Sequence, residues 1–191
     1  TGGARPGDHI IITGGAGIEG TSILAMDFAD EGRFLGLSEE ELQEAWRLSG
    51  EVSVVREALI LADHGATSMH DVTRGGILET SIEISRLSGV SLDINADLLP
   101  SRPVVERFAE AFSFDPLKMI SSGSLVATIP SEKVEAALDA LQRAEIHAGN
   151  VGTVKEGNGI TLYRKGIGST ETEVHCEDDE LARMWAIHKE R

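Results

Sequence analysis

The sequence has 191 residues, enough for one domain with a substantial buried core, and its 41% hydrophobic and 26% charged residues are ordinary for a globular chain. Seventeen Lys and Arg against 32 Asp and Glu leave a net charge of -15, which argues against non-specific nucleic-acid binding and against docking on an anionic membrane. There is no apolar run near the roughly 20 residues of a membrane span, no signal-peptide core in residues 1–7, and a single cysteine, so the expectation is a cytoplasmic protein without a disulfide or a zinc site.

Asp8 to Thr13 reads as a short buried strand, followed by the glycine cluster Gly14 to Gly20 and a helix from Thr21 to about Asp30. Ser38, ahead of Glu39, Glu40 and Glu41, caps a second helix. Val52 to about His64 supplies a third, with apolar positions at Val55, Leu59 and Ala62 and a stop at Gly65. Ala66 to Val72 is a strand running into Thr73-Arg74-Gly75-Gly76, after which Ile77 to about Leu87 is helical, with Ile77, Thr80, Ile84 and Leu87 on one side.

Val90 to Ile94 alternates like a half-buried strand, Val104 to Phe112 is a helix, and Ser124 to Ile129 is a strand ended by Pro130. Ser131 caps a helix from Glu132 to about Ala144. Asn150 to Val154 and Ile160 to Arg164 flank Glu156-Gly157-Asn158-Gly159, a hairpin-like turn, and Asp178 to Lys189 forms a closing helix. Strands alternating with helices predict a mixed sheet flanked by helices, on the border between α+β and α/β.

Two glycine turns each follow a strand and precede a helix. The first, Gly15-x-Gly17-x-x-Gly20, matches the dinucleotide fingerprint in form, but the region where a second parallel strand and its acidic residue should lie, Ser38 to Glu44, reads as helix. The second carries more chemistry. Asp71 stands at the end of a strand, and backbone N–H groups near Gly75 and Gly76 suit an anion, so a nucleotide phosphate bridged to Asp71 by Mg²⁺ is chemically sensible, with Arg74 adding a charge-assisted contact. The competing reading makes Asp71 or Thr73 a helix cap and Arg74 a solvated side chain. His70 reads as a strand residue rather than a base, and the pair His175-Cys176 as an ordinary tail, since no third group orients a nucleophile.

Three ordered segments together resemble the C-terminal domain of the aminoimidazole-ribonucleotide (AIR) synthetase superfamily, and within it the HypE-like hydrogenase-maturation members. They are Ala4-Arg5-Pro6-Gly7-Asp8, His70-Asp71-Val72-Thr73-Arg74-Gly75-Gly76, and Asp115-Pro116-Leu117 with Ser122-Gly123-Ser124-Leu125-Val126. The resemblance implies an α+β fold of three layers, α/β/α, with a mixed sheet, spanning residues 1–191. It implies ATP and Mg²⁺ as cofactors of the full-length protein, Asp71 as a metal ligand, and Asp71, Thr73, Arg74, Gly75 and Gly76 as cofactor-binding residues. It further implies a preceding ATP-binding domain, outside this sequence, through which the protein forms a homodimer, and an isolated domain without activity.

Two departures qualify this. HypE-like members end in a Pro-Arg-x-Cys tail and commonly carry a Glu where this chain has Ser121-Ser122-Gly123; here the last residues are Trp185 to Arg191, and Cys176 sits beside Glu177, Asp178 and Asp179, which disfavour a thiolate. The alternatives are a non-catalytic scaffold that docks a maturation partner, and a small-molecule kinase of the thiamine-monophosphate kinase type, whose motif usually has another acid where Arg74 stands.

Overall fold

Three consecutive isoleucines, Ile10 to Ile12, lie at the centre of the sheet and are fully buried, with burial stabilising each by about 1.5–3 kcal/mol. They belong to β1 (His9–Thr13), and the structure, a computed structural model, describes residues 1–100, 102–166, 168–172 and 179–188. The strands that follow are β2 (Ser68–Asp71), β3 (Ser91–Asn95), β4 (Leu125–Ile129), β5 (Ala148–Lys155), β6 (Gly159–Arg164) and β7 (Gly168–Thr172). Their order in the sheet is β2-β4-β1-β5-β3-β6-β7, and every neighbouring pair is antiparallel except β3 with β6.

The helices are α1 (Ile18–Asp27), α2 (Ala29–Phe34), α3 (Glu39–Arg47), α4 (Val55–Asp63), α5 (Gly76–Ser88), α6 (Pro103–Phe112), α7 (Val134–Arg143) and α8 (Glu180–His188). Alternation along the strands divides the core into layers. Ile10, Ile12 and Val126 share one face with Ile77, Leu78 and Ile84 of α5, whereas Ile11, Leu125 and Ala127 share the other with Leu61 of α4 and Ala137 and Leu141 of α7. This is the three-layer α+β arrangement with a mixed sheet. A third cluster joins α1, α3, α6 and α8 through Leu24, Ala45, Phe108, Phe112 and Met184. Among the described residues no helix is long and apolar enough to cross a membrane.

Local signals explain several boundaries. Ser38 and Glu41 form a reciprocal capping box: the Ser38 hydroxyl accepts the Glu41 N–H at 3.2 Å, and the Glu41 carboxylate accepts the Ser38 N–H at 2.7 Å. Helix α4 ends just before Gly65, as its glycine suggests. The segment expected to be one helix from Thr21 to Asp30 starts earlier, at Ile18, and breaks at Phe28 into α1 and α2.

Four expectations are corrected. The arms around Glu156 to Gly159 do not form a hairpin: β3 lies between β5 and β6, with Ser91 opposite both Lys155 and Gly159. The alternating strand Ser91–Asn95 buries Leu92 and Ile94 in that central slot, and a turn signal cannot say whether its two arms pair or straddle a third strand. The antiparallel partner of β6 is β7, which local pattern had not marked. On α4, Val55, Leu59 and Ala62 face outward, while Glu57 and Leu61 are buried, so the helix is rotated relative to its apolar stripe. Leu87 is likewise exposed although Ile77, Thr80 and Ile84 are buried. Finally, Ser131 makes no cap; α7 is entered through a 3-10 turn at Ser131–Lys133. Of the closing helix, Glu180–His188 is described, and Asp178, Lys189, His175 and Cys176 lie outside the described residues.

Candidate functional site

Strands β1 and β2 flank β4 and are both antiparallel to it, so they leave the sheet at the same end. Val126 is opposite Ile12 on one side and His70 on the other. Both glycine turns are thereby brought to one edge of the molecule, although more than fifty residues of sequence separate them.

The first turn is a structural junction. The Gly15 carbonyl accepts hydrogen bonds from Ser121 Oγ at 3.0 Å and Ser124 Oγ at 2.5 Å, and the Ile18 N–H donates to Ser121 Oγ at 3.1 Å. The Ser122 N–H donates to the Glu19 carboxylate at 3.3 Å. Because both neighbours of β1 are antiparallel to it, the crevice between parallel strands that a dinucleotide fingerprint needs is not formed there.

At the second turn Asp71 ends β2 with a side chain 64% exposed, and Thr73 and Arg74 are exposed beside it. Helix α5 begins at Gly76 with Gly75 as its N-cap and no side-chain cap, so neither Asp71 nor Thr73 plays the capping role. Gly76 is required by contact as well as by its φ of +65°: a Cβ there would lie 2.4 Å from the Leu117 carbonyl oxygen. The Gly76 N–H turns back to the Thr73 carbonyl at 3.1 Å. The Gly75 N–H, expected to be free for a ligand anion, is not free either: it donates to the chain's own Asp179 Oδ2 at 2.8 Å. Asp179 is only 4% exposed.

His70 is fixed rather than free. Its Nδ1 lies 2.7 Å from the Asp71 carbonyl oxygen and its Nε2 2.6 Å from Glu83 Oε2 on α5, so both ring nitrogens face acceptors. No cluster of three or more His, Cys, Asp or Glu suited to a metal occurs among the described residues. The single exposed carboxylate of Asp71 fits the habit of Mg²⁺, which takes one or two carboxylates and fills its remaining positions with phosphate oxygens and water.

A cavity of about 430 Å³ opens at the same end, lined by Ala16 from the first turn, by Leu117, whose carbonyl abuts Gly76, and by Arg102, Asp115 and Arg164. Asp115 holds it in shape, accepting the Leu117 N–H at 3.1 Å and the Arg164 guanidinium at 2.7 Å. Arg102 ties its far wall to the Gly14 carbonyl at 3.0 Å and to Glu51 at 2.6 Å.

Asp71, Thr73, Arg74, Gly75 and Gly76 are adjacent in the chain and share this one turn, with Asp71, Thr73 and Arg74 exposed and the two glycines buried. Glu83, Asp179, Arg102 and Arg164 were not singled out. Neither Glu83 nor Asp179 carries a local signal: Glu83, four residues after Glu79, reads as a solvated helix acid, and Asp179 as part of an acidic run.

A three-layer α+β domain with two glycine turns converging beside a cavity is a recognised architecture. The chain belongs to the AIR synthase related protein family, whose C-terminal domain matches residues 5–165. Among its relatives, the carbamoyl dehydratase HypE of Azotobacter vinelandii is 33% identical over 139 residues, covering 73% of this chain and 38% of that protein. HypE of Rhodobacter capsulatus is 32% identical over 183 residues, covering 94% and 51%. The E. coli HypE crystal structure superposes with a TM-score of 0.74 at 25% identity, covering 90% of this chain and 51% of that one. The same fold recurs in a HypE solved in complex with ATP (TM-score 0.71, 24% identity, 95% and 53% covered) and in a HypE–HypF complex (0.68, 21%, 91% and 54%). The chain spans about two fifths to one half of the length of these curated HypE relatives.

Proposed function

We propose that the chain is the nucleotide-facing C-terminal half of a HypE-like, ATP-dependent enzyme of hydrogenase maturation, acting in the cytoplasm on an amide or related oxygen that it activates by phosphorylation. The observation that carries this reading is the exposed Asp71 carboxylate beside the second glycine turn, at the end of the sheet where the first glycine turn also emerges. Asp71 would hold Mg²⁺, with Arg74 and the Thr73 to Gly76 turn facing phosphate oxygens; the metal, when bound, would neutralise charge on the transferred phosphoryl group. The remaining acids and the homodimer contact belong to a preceding ATP-binding domain, so the chain alone should not turn over ATP. The HypE–HypF complex supports a maturation protein of that kind as partner.

Asp71→Asn in the full-length protein tests this. Because Asp71 caps nothing, the loss of charge should lower ATP turnover about tenfold or more, some 1.4 kcal/mol of transition-state stabilisation, without a comparable fall in melting temperature. Unchanged turnover across a range of Mg²⁺ concentrations overturns the assignment. A non-catalytic docking module is the second reading, favoured by occupation of the Gly75 N–H by the chain's own Asp179. Absence of ATP turnover in the full-length wild-type protein would select it.

A further inference from the structure

Asp179 is a buried carboxylate whose two oxygens serve two different elements. Oδ2 accepts the Gly75 N–H at 2.8 Å, and Oδ1 accepts the Ala182 N–H at 3.1 Å, in the first turn of α8. Helix α8 is anchored around it. Met184 is fully buried beside Phe112 and Met119, Trp185 meets the Phe28 ring edge-on at 5.4 Å, and Arg183 reaches the Ser113 carbonyl. Glu180 Oε1 accepts the Asp115 N–H at 3.3 Å, on the residue whose carboxylate shapes the cavity wall. One helix therefore touches both the second glycine turn and the cavity.

We propose that α8 is a self-docked latch, competing with a phosphate group for the Gly75 N–H so that the docked helix and an anionic ligand exclude one another at this turn. This rests on the phosphate-facing role given to the turn above. The competition is for one group, the Gly75 N–H, which already donates to Asp179, while the neighbouring Gly76 N–H donates to the Thr73 carbonyl. A phosphate carrying about -1.5 to -2 charges cannot share a single N–H with a buried carboxylate without strong like-charge repulsion. Linkage then makes the effect reciprocal: whatever phosphate loses in affinity to the docked helix, the helix loses in docking to phosphate.

The test uses the full 191-residue chain, inorganic pyrophosphate as probe at constant ionic strength, and amide hydrogen exchange of residues 180–188. In the wild type, pyrophosphate binding should raise exchange in α8. Asp179→Asn can keep its one side-chain oxygen on the Ala182 N–H as an N-cap but turns an NH2 donor toward the Gly75 N–H, so it loses the charge and the contested bond together and should bind pyrophosphate at least tenfold more tightly while α8 remains helical. Asp179→Ala, which loses both contacts, should bind at least as tightly as the Asn variant and show fast exchange in α8 without ligand. Equal affinities in wild type and both variants, or binding by the wild type that leaves α8 exchange unchanged, overturn the latch while leaving the phosphate-facing turn intact. Failure of all three proteins to bind pyrophosphate, with Mg²⁺ present, overturns both.

Discussion

Replacing Gly76 with Ala would place a methyl group 2.4 Å from the Leu117 carbonyl oxygen and 2.8 Å from that of Met119, on a backbone with φ of +65°. A left-handed alanine costs about 1–2 kcal/mol. Forcing the 117–119 backbone out of a close-packed contact adds about 1–3 kcal/mol, since neither carbonyl belongs to a side chain that can swing away. The expected loss is therefore about 2–5 kcal/mol, or a fall in Tm on the order of 10 °C for a chain of this size. Gly65→Ala is the matched control, because φ there is +84° and nothing lies within 4 Å of the added methyl, leaving only the conformational cost. Urea unfolding of both variants, compared at equal m-value, separates the two contributions. If Gly76→Ala proves no less stable than Gly65→Ala, the close approach of residues 117–119 does not explain the glycine, and the reasoning fails.

Burial holds the Glu57 carboxyl above the ordinary carboxylate range at the edge of a cavity of about 460 Å³. A raised folded-state pKa means that ionisation opposes folding above that pKa and has no effect below the unfolded value of about 4.3. Glu57→Gln should accordingly raise Tm at pH 7 to 8, with the gain vanishing near pH 4; equal gains at both pH values would refute the burial argument. Glu41 behaves oppositely, its pKa lowered first by the Ser38 backbone N–H and then by Arg107. Its contribution is present above the unfolded carboxylate pKa and lost as pH falls through the folded one, so Glu41→Gln should destabilise at neutral pH by a small amount that disappears in acid, read from Tm against pH. Ser38→Ala removes the other half of the capping box and should cost about 1 kcal/mol in urea unfolding.

Local chemistry made some of this fold readable before any coordinates. Ser38 with Glu41, Gly65, and the strand pattern of Leu125 to Ile129 each specify their own neighbourhood, and each is where pattern placed it. What stayed hidden is set by distant partners. Nothing near Glu156 to Gly159 reveals that Ser91 to Asn95 will lie between the two arms, and nothing in Val55, Leu59 and Ala62 says that Leu61 will pack on the sheet and Glu57 be buried instead. The second turn shows both cases at once. Asp71 and the glycines are legible as a strand end and an anion-facing loop, whereas the identity of the anion at Gly75 depends on residue 179, folded back from the far end of the chain.

The strand order also constrains how the molecule can be made. The strand β1 is synthesised first, yet its two neighbours are Leu125–Ile129 and Ala148–Lys155, so the run Ile10-Ile11-Ile12 has no partner until most of the chain exists. At translation rates of about 5–20 residues per second, that delay is on the order of ten seconds. Throughout it the nascent chain displays a short, uncharged, β-branched segment of the kind that pairs with copies of itself. Such long-range pairing is slow to form, so the interval before β5 emerges is the one in which this segment is most open to pairing with another chain.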